Sequence, residues 1–285
     1  MTTPSSPPAR GTLADFIRRN PTIVVGGILL LIITLAALFA PVIARDPIAF
    51  EPINRLKGPS SEFWLGTDSL GRDVYSRMIY GARISLMVGL LVALITVISG
   101  SVIGLMAGYF PRVDAVVMRL MDGIMAIPSI LLAIALVALL GSSVKVVIIA
   151  IAIPEIPRVT RLVRAVVLSV RDLPYVEAAR SNGTRVAKLL RRHILPSTVA
   201  PLIVQATYIC ASAILTEAGL SFLGAGTPPE FPTWGNMIAS SRLYLQIAPW
   251  TIFAPGICLA LVVLAVNLLG DGLRDRLDPR ISRRM

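Results

Sequence analysis

The chain has 285 residues, 55% hydrophobic and 15% charged, with a formal net charge of +11 and a mean hydropathy of +0.77. Such a composition excludes an ordinary soluble domain and describes a single membrane domain without internal repeats. The basic balance is set aside as a nucleic-acid signal, because the charges follow membrane topology instead.

Taken in chain order, residues 1–21 are expected to be a cytoplasmic N-terminus, with the Pro- and Ser-rich stretch MTTPSSPPA at 1–9 disordered. The first membrane span is placed at 22–43. Its apolar run is too long for a secretory signal and no small-residue cleavage site follows, so it is expected to be retained. An extracytoplasmic loop, 44–83, carries WLGTDSLGRDVYSRMIYGAR. Asp73 is expected to cap an interfacial helix there, with Tyr75, Met78 and Ile79 in the interface and Arg77 and Arg83 in water. Asp68, Arg72 and Asp73 lack the acidic density of a calcium loop, so no metal site is assigned.

The core, 84–270, is expected to hold five more spans, at 84–108, 118–140, 145–164, 200–223 and 248–270. Each is about twenty residues long, enough for a hydrocarbon core of about 30 Å. Gly100, Gly104 and Gly108 recur every fourth residue and predict close packing against another helix, in this chain or in a second subunit. Pro128, Pro154, Pro157, Pro249 and Pro255 lie in or beside spans, either as kinks beside a pathway or as tolerated irregularities.

Asp122 reads as a structural ion pair with Arg119 or as a proton-relay residue of the pathway. Glu155 is expected to pair with Arg158, while Arg161 and Arg164 continue a basic stripe that anchors the fourth span. Glu217 has no evident local partner. It reads either as a pathway residue that meets a substrate ammonium group or as a hydrogen-bonded packing residue. Cys210 and Cys258, both inside spans, read as small packing residues.

Orientation follows from the basic residues. Positions 158, 161, 164, 171, 180, 185, 188, 191 and 192 are all Lys or Arg, against Asp172 and Glu177 in the same loop. Arg10, Arg18 and Arg19 precede the first span, and Arg274, Arg276, Arg280, Arg283 and Arg284 follow the last. The positive-inside rule therefore puts both termini, the 165–199 loop and the 271–285 tail in the cytoplasm, and loops 44–83 and 224–247 outside.

Within the cytoplasmic loop, DLPYVEAARSNGTRVAKLLRRHILP at 172–196 predicts two short helices joined at a glycine. Asp172 and Thr184 are expected to cap them, Gly183 to end the first in a left-handed conformation, and Pro196 to stop the second. Val186, Leu189, Leu190 and Ile194 form an apolar face, and Arg185, Lys188 and Arg192 a basic one. Catalysis is not expected. The chain has no GxxxxGK[ST] phosphate loop, and the sole histidine, His193, lies across the membrane from Ser221, so the two cannot act as a nucleophile and base.

Glu177-Ala178-Ala179, then Gly183, then a run ending His193-Ile194-Leu195-Pro196, resembles the EAA loop of permease subunits in binding-protein-dependent ABC importers. The general pattern has Ile where this chain has His193, and the HILP ending resembles the peptide/nickel branch. Four further stretches resemble the same branch in the same order: 64–86, 118–134, 217–238 and 267–280. Within it the chain is similar to the second permease of dipeptide and oligopeptide importers.

The resemblance implies an all-α polytopic protein with six transmembrane helices in the type I permease fold, multi-pass in a bacterial plasma (inner) membrane. It implies a second homologous permease, two ATPase domains or subunits that hold ATP and Mg, an extracytoplasmic substrate-binding protein and a peptide substrate, with no cofactor bound by this chain. Glu177, Ala178, Ala179, Arg180 and Gly183 would form the coupling helix that docks on an ATPase. Nickel or glutathione is the alternative cargo. From another class, an ATP-independent secondary transporter would show inverted repeats and broken polar helices at mid-membrane.

Overall fold

The computed structural model describes residues 17–18 and 20–277, and among them the regular elements are helical apart from one isolated bridge, Thr67 to Asp73. The principal helices are α1 (Pro21–Leu38), α2 (Val74–Tyr109), α3 (Pro111–Met125), α4 (Ser129–Leu140), α5 (Val144–Val170), α6 (Pro174–Ser181), α7 (Val186–Phe222), α8 (Trp234–Ser241) and α9 (Trp250–Leu277). The sequence expectations for 1–9, Arg10, Arg19, Arg280, Arg283 and Arg284 fall outside the described residues.

Among the described residues α1, α2, α7 and α9 are each long and apolar enough to cross a membrane, and the bent pair α3 and α4 makes a fifth candidate. α5 carries more charge, yet it sits at the centre of the bundle, with Val147, Ala150, Val159, Val163 and Val167 fully buried. Proline at 154 and 157 stays inside α5 without ending it.

The first three spans differ from the sequence expectation, and the last three are longer than expected, at Val144–Val170, Val186–Phe222 and Trp250–Leu277. The first is shorter than 22–43: α1 ends at Leu38, and a separate turn of helix, Ala40–Ile43, follows Phe39. Pro41 cannot donate the hydrogen bond that would continue the helix. The second begins ten residues earlier than expected, because the interfacial helix and the span are one 36-residue helix. At about 54 Å it outreaches the hydrocarbon core. The third, expected as one span over 118–140, is bent by 87° between α3 and α4. Pro128 has no N–H to donate and pushes Ile127 out of the helical region, so α3 ends at Met125.

The glycine stripe explains the longest interface. A Cβ on Gly100, Gly104 or Gly108 would lie 2.6–2.7 Å from Val159, the Thr160 carbonyl oxygen or Val167, all on α5. The neighbour the stripe receives is therefore within this chain. Bare backbone at every fourth position lets the two helices approach as far as van der Waals contact allows.

Ion pairs tie α3 to α5. Arg164 Nη2 donates to Asp114 Oδ2 at 2.6 Å, and its Nε reaches Asp114 Oδ1. Arg161 pairs with Asp122. The partner of Asp122 is thus on another helix, and Arg161 and Arg164 clamp α3 rather than forming a free anchor. The expected local pair, Glu155 with Arg158, is present at 3.5 Å.

Two ends can be distinguished. At one, Arg171 Nη1 donates to the Gly108 carbonyl at 3.1 Å, which places the α6 hairpin beside the end of α2. At the other, Trp250 Nε1 donates to the Thr67 carbonyl at 3.3 Å, and Ser142 Oγ to the Gly226 carbonyl at 2.7 Å. α1 runs antiparallel to α9, with Gly26 against Leu268 and Gly272 against Ile23. The first and last helices therefore begin and finish at the hairpin end.

A hairpin at one end and a polar cleft at the other

The hairpin is held from beneath and open above. Pro174 opens α6, where its missing N–H costs nothing. Val176 is 1% exposed, and Ala179 packs on the same apolar cluster as Val170, Leu189, Leu190 and Ile194. Glu177, Ala178 and Arg180 face outward. Glu177 makes no ion pair with Arg180 among the described residues, so its carboxylate is free for a partner.

The turn after α6 is a Schellman motif. Gly183 takes φ +73°, its N–H donates to the Arg180 carbonyl at 3.0 Å, and the Thr184 N–H to the Ala179 carbonyl at 3.2 Å. Glycine is required there because a Cβ is strained at that φ.

Three expectations about this segment are corrected. Asp172 does not cap α6: Leu173 occupies the cap position, and Asp172 lies beside Arg171 at 3.3 Å. Thr184 does not cap the second helix, which begins after Arg185 without a side-chain cap. Nor does Pro196 stop that helix. The backbone widens into a π turn over Leu190–Ile194, where the Leu195 N–H donates to the Leu190 carbonyl, five residues back. The wider turn accommodates the proline, and α7 runs on unbroken in direction to Phe222. Of the proposed apolar face, Leu189, Leu190 and Ile194 are buried and Val186 is exposed.

At the opposite end Glu217, 1% exposed, anchors a polar node. Ser221, four residues on, donates to its Oε1 at 2.9 Å, and Thr227 to the same oxygen at 3.2 Å. Glu217 Oε2 is buried without a hydrogen-bond partner. The loop after α7 is locked to this node by Asn236, whose Nδ2 donates to Thr227 Oγ1 at 2.9 Å and to the Thr227 carbonyl at 3.0 Å. Thr233 caps α8 by accepting the Asn236 N–H at 3.1 Å. Gly226 has to lack a side chain, since a Cβ there would stand 2.0 Å from Ser221 Oγ.

Beside this node a second charged cluster forms. Arg77 is buried, not wet as its sequence position suggests: it is 2% exposed, 3.7 Å from Asp68, and donates to the Pro47 carbonyl at 3.3 Å. Arg72 Nε holds the same Asp68 oxygen at 2.7 Å. Asp73 caps α2 by accepting the Ser76 N–H at 3.0 Å. Between the two clusters opens a cleft of about 590 Å³.

Residues 100–283 match the family of binding-protein-dependent transport system inner membrane components, well over half of the chain. The chain belongs to this family. Residues 15–59 match the N-terminal transmembrane domain of oligopeptide transport permease C. The permease is 59% identical over 273 residues to a probable peptide ABC transporter permease protein of Sinorhizobium fredii, covering 96% of this chain and 94% of that one. It is 46% identical over 268 residues to a dipeptide transport system permease protein of Alkalihalophilus pseudofirmus, covering 93% and 88%. A glutathione transport system permease protein of Pectobacterium atrosepticum is 43% identical over 269 residues, covering 94% and 89%.

The permease is thus an all-α polytopic protein of the type I importer class, and a membrane component rather than an ATPase. Its structure separates the residues singled out by sequence into distinct places. Glu177, Ala178, Ala179, Arg180 and Gly183 sit together on the hairpin; Glu217 sits at the other end; Asp122 lies on the α3 clamp, away from both. Cys210 and Cys258 are free thiols packed against one apolar cluster. Sequence reasoning did not assign roles to Thr227, Thr233 or Asn236. All three lie in the glycine- and proline-rich stretch that follows Glu217.

Proposed function

We propose that this permease is one of two homologous membrane subunits of an ATP-driven importer that takes up dipeptides or oligopeptides across a bacterial plasma membrane. The observation that carries the coupling role is the hairpin: a short helix fixed from below by Val176 and Ala179, closed by Gly183, with Glu177, Ala178 and Arg180 left open to a partner. A rigid attachment transmits displacement, whereas a loose loop would absorb it. Two ATPase subunits, holding ATP and Mg, would dock at this end, and an extracytoplasmic binding protein would deliver peptide at the other.

The orientation has both termini in the cytoplasm. The hairpin end gathers the basic residues Arg171, Arg180, Arg185, Lys188, Arg191 and Arg192, as expected of a cytoplasmic face. Peptide as cargo is supported by the relatives from Sinorhizobium fredii and Alkalihalophilus pseudofirmus. Glutathione, itself a short peptide, is the second reading, favoured by the relative from Pectobacterium atrosepticum. Family membership argues against an ATP-independent secondary transporter.

The test is reconstitution. The tagged chain should co-purify with a second permease and ATPases, and vesicles of the complex with its binding protein should accumulate peptide only with ATP. Glu177→Lys should leave the subunit inserted but lower uptake and transport-coupled ATP hydrolysis together. Uptake that ignores ATP and follows an ion gradient would refute the proposal.

A further inference from the structure

The cleft at the end opposite the hairpin has two chemically different walls. On one side Arg72 and Arg77 both lean on a single oxygen of Asp68, at 2.7 and 3.7 Å. The other Asp68 oxygen is taken by the backbone N–H groups of Leu70 and Arg72, at 2.8 and 3.0 Å. Two guanidinium groups against one carboxylate leave a positive charge unmatched. Arg242, exposed at the rim beside the Phe222 ring, adds another.

On the other side Ser221 and Thr227 line the cleft. Both hydroxyl protons are committed to Glu217 Oε1. Thr227 Oγ1 is already occupied by Asn236 Nδ2 at 2.9 Å and by Thr233 at 3.4 Å, so Ser221 is the hydroxyl with lone pairs left to accept. Behind them stands Glu217, with Oε2 buried and unpartnered. Phe222 and Leu223, 46% and 58% exposed, form an apolar lip. The volume of about 590 Å³ lies within the range of about 300–1,000 Å³ typical of small-ligand sites.

A cationic wall facing a wall of acceptors fits a small dipolar molecule with a carboxylate at one end and an ammonium at the other. We propose that the cleft is a transit site for a short peptide with free termini. The arginine wall takes the C-terminal carboxylate, and the Ser221 hydroxyl, backed by Glu217, takes the N-terminal ammonium. This rests on the peptide-import reading above. Guanidinium groups suit a carboxylate because their paired N–H donors match its two oxygens. The apolar lip tolerates varied side chains, so the site reads peptide ends rather than peptide sequence.

The experiment uses the complete complex in vesicles, with binding protein and ATP, and a radiolabelled photoreactive tripeptide in unblocked, C-amidated and N-acetylated forms. The unblocked peptide should label residues within 221–242. Arg242→Gln should reduce that labelling, and uptake, roughly tenfold, with partial rescue by Arg242→Lys. Arg242 is exposed, so this variant is not expected to unfold the subunit. The C-amidated peptide should label weakly and be indifferent to Arg242→Gln, and the N-acetylated peptide should instead lose sensitivity to Ser221→Ala.

Labelling elsewhere, or an Arg242→Gln complex that labels like wild type, overturns the proposal. So does a defect that traces to weaker docking of the unliganded binding protein, which would make the cleft a protein-docking surface. Wild-type vesicles that take up no peptide would refute the import reading itself, a result separate from any comparison of variants.

Discussion

Ser221 Oγ donates to Glu217 Oε1 at 2.9 Å across one turn of α7, and Thr227 donates to the same oxygen from the loop beyond. The carboxyl therefore joins the last turn of a membrane helix to the segment that leads into α8. Without these donors Glu217 would be buried with neither of its oxygens paired.

Ser221→Ala should lower the stability of the purified complex by about 1–3 kcal/mol, because it strips a donor from a buried acceptor. The measurement is the thermal unfolding midpoint in detergent, with Ser221→Thr as the comparison that keeps the hydroxyl. Equal midpoints for Ala and wild type would mean that Thr227 alone satisfies Glu217.

The α2–α5 interface gives a prediction with an internal control. Gly104→Val should destabilise by about 1–3 kcal/mol through overpacking, since even a Cβ would stand 2.7 Å from the Thr160 carbonyl oxygen and 2.8 Å from Val163 Cβ. Gly123→Ala, on α3, meets nothing within 4 Å and should be neutral or stabilising by up to about 1 kcal/mol. Yield of folded subunit and its melting temperature distinguish the two.

The clamp between α3 and α5 should show pairwise coupling. Asp114 and Arg164 are 23% and 32% exposed and meet through two hydrogen bonds. A double-mutant cycle of Asp114→Asn and Arg164→Gln should return a coupling of about 1 kcal/mol, above the usual exposed pair because the contact is bidentate and partly buried. Additive single effects would show that α3 is held by its apolar face alone.

Gly183→Ala should strain the turn that closes α6 by about 1–2 kcal/mol, the cost of a side chain in the left-handed region. No neighbouring atom lies within 4 Å of the added Cβ, so the cost is conformational and not steric. Hydrogen exchange should accelerate at the Gly183 and Thr184 amides, which donate to Arg180 and Ala179. If coupling runs through this hairpin, transport-stimulated ATP hydrolysis should fall in the same variant.

Much of this architecture was legible in the amino-acid order. Long apolar runs can satisfy their backbone only as helices in lipid, so the location of the spans followed from hydropathy. The glycine at 183 and the cap at Asp73 followed from local rules that need only neighbouring residues. Glu177 and Arg180, three residues apart, form no ion pair among the described residues, because a solvated pair gains little from closing.

What the chain order could not reveal were relations between residues far apart along it. Asp122 chose Arg161 over Arg119, and Arg77 went inside to share Asp68 with Arg72. Both choices depend on which helix faces which, set by side-chain packing over the whole bundle. The bend at Pro128 was suggested by the residue, yet its 87° was not. Pro196 looked like a stop until a π turn absorbed it. The sequence by itself determined a basic, six-pass helical membrane protein with an ordered hairpin, because helix formation in lipid and charge asymmetry are local properties. Only the tertiary structure decided that the Gly100–Gly104–Gly108 stripe is filled by this chain's own α5, and that Glu217 and the three arginines stand around one cleft, because those contacts exist only once the helices have packed.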